Sequence, residues 1–317
     1  MEFLDNNELI TYMHHLINSK RNIKTQRTIF ALPIAIPLER EMVENNIRRF
    51  EYSIMKISNV YDNTRVMVTC FKYNNENYTV LFNKKGMYYD YSNKIKFSDD
   101  VYNATILDCD LIVNEDKLLI RDILCYKGEP CFNVYAGFRK EYMFQLLGDI
   151  DKEKTCISLE MYKVYDYNEF KENLKESGEE MPLLDFDKLL FIPKTIPIGI
   201  NIQRTMFFWE HTPGMFLKMN VNDTTITLSA CSNTSEKDNV VIATIKRDCD
   251  RGQQILDTVD VKTIDGKVCY MNYDNENETF KVCKVIDDDT IKADTLRIIE
   301  QVFCMNKENI KLEDIFF

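Results

Sequence analysis

Hydrophobic residues along the chain recur mainly with a spacing of two, and this alternation predicts a protein built largely of β-strands. Polar segments such as YNNENY and NKKG separate the runs and supply turn residues. In the first two thirds of the chain, the predicted strands are RVMVTCFKY, NYTVLFNKK, GMYYDYS, ATILDCDLIV, KLLIRDILCY, KLLFIPK and TMFFWEH. In the final third they are GMFLKMNV, TTITLSAC, NVVIATI, GKVCYMNY and TFKVCKVI.

A spacing of three to four residues replaces the alternation in a few segments and predicts helices there. The N-terminal segment reads as an amphipathic helix, and the other predicted helices lie near 39–49, 141–151, 167–177 and 293–306. Pro33 and Pro37 are expected to break any regular element. The pattern predicts an α+β fold, with a larger antiparallel-sheet domain at 1–213 and a small all-β domain with a closing C-terminal helix at 214–317.

The chain has 317 residues and a net charge of -11, so its overall field repels nucleic acid. One basic stretch, residues 18–27 (NSKRNIKTQR), is either a local RNA-binding patch or, more commonly for such runs, a solvated link. No apolar run is long enough to cross a bilayer, and the N-terminus lacks the pattern of a signal peptide. These two observations predict no membrane contact. Ten cysteines without a signal peptide indicate free thiols in a reducing intracellular compartment, and their lack of zinc-type spacing predicts no zinc site.

Several strands occur in an order that resembles a known family. ATILDCDLI and LLIRDILCYKGE resemble the family strands LLDGELV and FDxLxxNG, DFDKLLFIP resembles DGLIFTP, and MFFWEH resembles LLKWKP. The C-terminal stretch from GKVCYMNY to KLEDIF resembles the family's OB-domain end and closing helix. On these motifs, the chain resembles the cellular mRNA capping guanylyltransferases, which form the covalent nucleotidyltransferase superfamily together with DNA and RNA ligases.

The resemblance implies a nucleotidyltransferase domain followed by an OB-fold domain. It also implies a reaction in which a lysine amine attacks the α-phosphate of GTP and the resulting lysyl-GMP passes GMP to a diphosphate RNA end. Such chemistry needs GTP, Mg²⁺ or Mn²⁺, and cations around the triphosphate. The implied partners are the RNA 5′ end and either the RNA triphosphatase or the RNA polymerase II tail, and the implied location is the nucleus.

The family's first motif, a lysine before Asp-Gly and an arginine, fits this chain in two registers. In one register YSIMK supplies the nucleophile as Lys56, and a four-residue insertion precedes Arg65. In the other register VYDNTR aligns without a gap, so that Asp62 and Arg65 are kept and Val60 replaces the nucleophile. The gap-free register keeps more matches and is favoured, and it makes Lys56 an ordinary strand lysine.

The other motifs supply further candidate residues for nucleotide binding, which together with Asp62 and Arg65 are Lys84, Asp110, Asp187, Lys188 and Lys284. Asp110 and Asp122 are the candidate metal ligands. Compared with the family, the motif positions have lost about five positive charges, which a triphosphate pocket needs. The positions compared are Lys84, Asp110, Lys188, Phe208, Glu210, Lys284, Ile286 and Asp289.

Three functional hypotheses follow from the resemblance and from the loss of positive charge at the motif positions. The first is a capping guanylyltransferase with a degenerate site that uses Lys56, with GTP and Mg²⁺ or Mn²⁺ as its cofactors. The second is a pseudoenzyme that serves as a binding subunit of a capping or transcription complex and needs no cofactor. The third is a ligase-like nucleotidyltransferase. The loss of positive charge favours a catalytically inactive protein, as in the second hypothesis.

Overall fold

A computed structural model of the protein describes residues 2–21, 30, 32–57, 63–84, 86–131, 133–176, 186–197, 199, 201–232, 238–256, 264–275, 277–286 and 292–317. The chain forms two compact units. The first comprises Met1–Ile36 and Asn45–Trp209, and the second comprises Pro37–Glu44 and Glu210–Phe317.

The first unit consists of thirteen strands and three long helices in its described part. The strands are β1 (Glu2–Phe3), β2 (Pro33–Pro37), β3 (Tyr52–Ile57), β4 (Asn63–Tyr73), β5 (Glu76–Asn83), β6 (Tyr88–Asp90), β7 (Asn103–Ile112), β8 (Lys117–Tyr126), β9 (Glu129–Pro130), β10 (Ser158–Met161), β11 (Val164–Asp166), β12 (Lys188–Pro193) and β13 (Asn201–Glu210). The long helices are α1 (Asn7–Lys20), α3 (Ala136–Gly148) and α4 (Tyr167–Glu176). The three-residue α2 (Arg40–Met42) lies between α1 and α3 in the sequence but belongs to the second unit.

These strands form two sheets. Sheet A has the order β1-β6-β5-β4-β7-β8-β10, with β9 also paired to β8, and sheet B has the order β11-β3-β12-β13-β2. Most pairs with a described register are antiparallel, and the β10–β8 pair is parallel. The expected antiparallel α+β architecture is therefore confirmed.

The segment with Pro33 and Pro37 differs from expectation, because it forms strand β2 rather than an irregular connection. β2 lies at the edge of sheet B. An edge strand pairs along only one side, so a residue without a backbone N–H is tolerated there. The helix expected near 39–49 begins as α2 and continues as a π-helical turn over Val43–Ile47.

Alternation along the strands gives sheet A two different faces. One face forms an apolar cluster with α3, which contributes Met143 and Leu146. The other face packs against α1 through Leu9, Met13 and Ile17, which recur at helical spacing. A separate apolar cluster joins the two sheets, because it contains residues of β3 and β12 together with Leu119 and Tyr162.

The second unit contains a five-stranded antiparallel sheet, ordered β16-β15-β14-β17-β18. Its strands are β14 (Gly214–Val221), β15 (Thr225–Cys231), β16 (Asn239–Lys246), β17 (Val268–Asp274) and β18 (Thr279–Ile286), and its helices are α5 (Asp250–Leu256), α6 (Leu296–Glu308) and α7 (Leu312–Phe316). This order, with α5 between the third and fourth strands, is that of an OB-fold. The predicted OB-fold and C-terminal helix are confirmed.

The segment Pro37–Glu44 belongs to the second unit, although it falls within the range 1–213 expected for the first domain. Arg40 explains this attachment. Its Nη1 lies 3.3 Å from Asp314 Oδ1, and its Nη2 donates to the carbonyl of Glu308. In the described part of the chain, no helix combines the length and apolar character that a membrane span requires.

Candidate functional site between two sheets

Three buried carboxylates lie on sheet A. Asp108 and Asp110 are two residues apart on β7, so they share one face, while Leu107, Cys109 and Leu111 point into the opposite apolar cluster. Strand pairing places Asp122 of β8 opposite Asp108. The register of β4 places Arg65 opposite Asp110.

Each of these carboxylates is bound by an arginine. Nε and Nη2 of Arg65 donate to the two oxygens of Asp108 at 2.8 and 2.5 Å. Nε of Arg121 donates to Asp110 at 2.7 Å, and Nε of Arg139 donates to Asp122 at 2.8 Å. We call these three pairs the arginine–carboxylate layer, with members Arg65, Asp108, Asp110, Arg121, Asp122 and Arg139. Breaking one such buried pair typically costs 3–5 kcal/mol, because it leaves the remaining charge uncompensated.

Asp110 is bonded by two different side chains. Its Oδ2 accepts hydrogen bonds from Arg121 Nε and from the hydroxyl of Tyr162, both at 2.7 Å. Burial opposes the charge on Arg121, but Asp110, Asp108 and Tyr162 outweigh burial and raise the pKa of Arg121 above its ordinary value. Arg121 therefore keeps its positive charge beside Asp110.

Arg21, directly after α1, is a further buried cation. It is 3% exposed, and its Nη2 donates weakly to the carbonyl of Gly199 at 3.4 Å. Nε and Nη1 have no hydrogen-bond partner within the described residues. Burial lowers the pKa of Arg21 to about 10, even though Asp122 and Asp108 attract the positive charge. The stretch 18–27 was expected to be a solvated link, and for Arg21 this is wrong; residues 22–27 lie outside the described residues.

Lys56 lies on β3, and its side chain is surrounded by aromatic rings. Its Nζ lies 5.5, 5.7 and 5.1 Å from the ring centroids of Tyr165, Phe170 and Phe186. Its strand neighbours Met55 and Ile57 point to the other face, into the cluster that contains Tyr162. The Lys56 amine is therefore directed away from the face on which Tyr162 meets Asp110. The alternative motif residues Val60 and Asp62 lie outside the described residues.

The other nominated residues are dispersed. Asp187 directly precedes β12, and its N–H donates to the carbonyl of Ile57. Lys188 begins β12, and its Nζ lies 3.6 Å from the centroid of the Phe208 ring. Lys84 is exposed in the turn after β5, and Lys284 is exposed on β18 in the second unit. The residues that the structure brings together on sheet A are Arg65, Asp110 and Asp122.

The two candidate metal ligands do not fit a divalent cation as they are arranged. Asp110 and Asp122 each hold an arginine at 2.7–2.8 Å, and Asp110 also accepts a hydrogen bond from Tyr162. A metal ion would have to displace these guanidinium groups. Among the described residues, no group of three or more His, Cys, Asp or Glu side chains is placed to hold a metal ion.

Sequence reasoning missed Asp108, Arg121, Arg139 and Tyr162, and it included Arg21 only as part of the basic stretch 18–27. The alternation in LDCDLI could have revealed Asp108 as a second acid on the face of Asp110. Arg121 comes from a β-bulge, since the β7–β8 register shifts between Asp108 and Cys109, and a bulge has no clear sequence signature here.

No protein-family model matches the chain, and no curated protein matches it either. Solved structures do match. A mycobacterial DNA ligase D complexed with ATP and MES gives a TM-score of 0.43 at 8% identity, over 82% of this chain and 95% of that chain. The ATP-dependent DNA ligase from bacteriophage T7 in complex with ATP gives 0.40 at 13% identity, over 84% and 100%. The Chlorella virus DNA ligase–adenylate gives 0.32 at 8% identity, over 81% and 100%. These three structures are all DNA ligases.

Proposed function

We propose that this protein is a non-catalytic member of the covalent nucleotidyltransferases, which binds an RNA 5′ end within a capping or related complex without forming a lysyl-nucleotide. The observation that carries the proposal is the ion pairing of the carboxylates. All three acids of the site are neutralised by arginines of the same chain. A metal-dependent transferase needs carboxylates that are free to hold its ion.

The position of Lys56 supports the same proposal. A nucleophilic amine must reach the α-phosphate at about 3–3.5 Å before it can react. Lys56 instead lies among three aromatic rings, on the face of sheet B opposite to Met55 and Ile57. These cation–π contacts hold the Lys56 side chain among the rings, whereas a nucleophile must be directed at the phosphate.

Covalent labelling tests the proposal. The full-length protein is incubated with α-labelled GTP and, separately, with α-labelled ATP, in Mg²⁺ and in Mn²⁺, and is then resolved under denaturing conditions. We expect no covalent label in any of the four reactions, for the wild type or for Lys56→Met. An active DNA ligase serves as the control for ATP, and an active capping enzyme as the control for GTP.

Two results would refute the proposal. Label from GTP that disappears in Lys56→Met would establish a guanylyltransferase with Lys56 as its nucleophile. Label from ATP would establish a ligase-like enzyme instead. The proposed binding of an RNA 5′ end is tested by fluorescence anisotropy. An RNA with a 5′-phosphate should bind more tightly than the same sequence with a 5′-hydroxyl. The proposed nuclear location and the proposed contact with the triphosphatase or the polymerase tail are tested by tagging the protein in its own cells.

A further inference from the structure

A cavity of about 160 Å³ lies in the first unit beside the arginine–carboxylate layer. Its lining combines apolar side chains, among them Ile120, Met161 and Ile192, with the side chains of Arg121 and Arg139. Sites that hold whole drug-sized ligands measure about 300–1,000 Å³. This cavity therefore suits a small charged group with a few further atoms rather than a complete nucleoside triphosphate.

The two arginines of the cavity are fixed before any ligand arrives. Nε of Arg121 is bound to Asp110, and Nε of Arg139 is bound to Asp122. Arg139 uses one terminal nitrogen on the carbonyl of Val134. The side chain of Arg121 makes no hydrogen bond other than the one to Asp110 within the part of the chain that is described. The terminal nitrogens of Arg121 are therefore available to a ligand, and a planar guanidinium edge is best matched by phosphate or carboxylate oxygens.

The start of α3 adds a second source of positive potential. Ala136 and Gly137, in the first turn of this 13-residue helix, line the cavity. Tyr135 at the N-cap makes no side-chain hydrogen bond to the turn. The first N–H groups of α3 therefore lack a side-chain cap. Such a turn and the helix dipole both favour an anion.

Acidic residues also line the cavity, and their positions decide which anion fits. Asp122 is bound by Arg139, whereas Asp166 and Glu169 are exposed. Asp166 pairs with Lys194, and Glu169 accepts the N–H of Asp166. A single phosphate at the arginines leaves these exposed acids next to the rest of the ligand, where carboxylates accept hydrogen bonds from hydroxyl groups. A triphosphate would bring further negative charge towards the same acids and be repelled.

We infer that this cavity binds a phosphate monoester of a hydroxylated compound, with its phosphate held by Arg121, Arg139 and the start of α3. A free sugar phosphate and a 5′-monophosphate RNA end both carry this chemistry. The inference rests on the proposed function only in naming the RNA end as one source. A preference for a monophosphate distinguishes this cavity from a site that binds a nucleoside triphosphate.

Isothermal titration of the full-length protein tests the inference, with ribose 5-phosphate as the probe and ribose and GTP as comparisons. We expect ribose 5-phosphate to bind at least tenfold more tightly than GTP, and ribose to give no measurable heat. A short RNA with a 5′-monophosphate is compared with its 5′-hydroxyl form. A tenfold or greater preference for the phosphorylated RNA over ribose 5-phosphate identifies the RNA end as the source, and the reverse identifies a free sugar phosphate.

A charge variant locates the binding without touching the buried pairs. A Cβ at Gly137 would have no atom within 4 Å, so Gly137→Glu places a carboxylate beside the cavity in a helix turn that tolerates acids. This variant should weaken binding of ribose 5-phosphate at least tenfold while keeping the melting temperature near that of the wild type. Gly148→Glu is the matched control, since it adds the same charge at the other end of α3, where space is also open.

Two results would overturn the inference. One is equal binding of ribose 5-phosphate and ribose. The other is wild-type affinity in Gly137→Glu. Covalent labelling by GTP or ATP would refute the proposed function and leave the result of this titration unaffected, so the two failures can be told apart.

Discussion

Replacing Asp110 with asparagine separates a structural carboxylate from a catalytic one. Asp110 is 1% exposed and binds both Arg121 and Tyr162 through Oδ2. The amide of asparagine carries no charge and offers one acceptor oxygen in place of two. Arg121, whose side chain is 14% exposed, would then be a buried guanidinium without its carboxylate. Breaking a buried pair in this way costs about 3–5 kcal/mol.

Thermal unfolding measures this loss directly. For a unit of the size of Asn45–Trp209 with its N-terminal segment, each kcal/mol corresponds to roughly 2–4 °C. Asp110→Asn should therefore melt roughly 6–20 °C below the wild type. Asp116→Asn is the matched control, because Asp116 is 74% exposed, faces Lys94 at 3.8 Å and has a φ of 46° that asparagine tolerates. It should change stability by less than about 0.5 kcal/mol.

If Asp110 serves instead as a metal ligand, the opposite result is expected. A carboxylate kept for holding a metal ion is poorly compensated in the free protein, so its conversion to asparagine leaves stability unchanged or raises it. If Asp110→Asn melts with the wild type, the argument for an internally neutralised site is refuted. A double variant, Asp110→Leu with Arg121→Met, adds a second check, since it should be more stable than Asp110→Asn when the lost energy comes from an orphaned charge.

Three further predictions concern stability. Partial burial lowers the pKa of the His14 imidazole to about 4, so the unfolded chain takes up its proton first as pH falls below about 6.5. The wild type should therefore lose about 2 kcal/mol more than His14→Gln between pH 7 and 4 in urea unfolding, and equal losses would contradict this. Arg21→Met should raise the melting midpoint by the equivalent of about 1–3 kcal/mol, because two guanidinium nitrogens are buried without partners among the described residues; a lower midpoint would refute that account. Gly252→Ala should destabilise by about 1–3 kcal/mol, since its Cβ would lie 2.1 Å from the carbonyl of Lys246, whereas Gly148→Ala meets open space and should stabilise by about 0.5–1 kcal/mol in the same melting assay. Equal effects of the two glycine variants would contradict the steric explanation.

Much of the fold follows from the sequence, because the alternation of apolar and polar residues in a strand can be read from that short segment alone. KLLIRDILCY was predicted as one strand and forms β8 over Lys117–Tyr126. The final helix was expected at ADTLRIIEQVFCMN and is observed as α6. The strand β2 was missed because the tolerance of Pro33 and Pro37 depends on an edge position, which only the complete sheet defines.

The site was less predictable for a related reason. Arg65 and Asp110 were nominated by resemblance, but their ion-pair partners come from strand register, a bulge and helix α3, none of which is a local property. Lys56 shows the same limit. Its motif fits two registers in the sequence, whereas the face to which Lys56 points is fixed by its pairing with β12 and by the aromatic residues around it.

Counting charges at motif positions describes only part of the field at this site. The eight motif positions carry no net charge, yet four buried or half-buried guanidinium groups, those of Arg21, Arg65, Arg121 and Arg139, accompany three carboxylates in the first unit. The potential of a site is the sum over all nearby charges, whichever motif they belong to. Because most of these cations are already held by carboxylates of the chain, little positive charge remains for a ligand. Such a site suits a single phosphate and disfavours a triphosphate with its metal ion, which is why the same ion pairs that argue against nucleotidyl transfer also argue for binding a monoester.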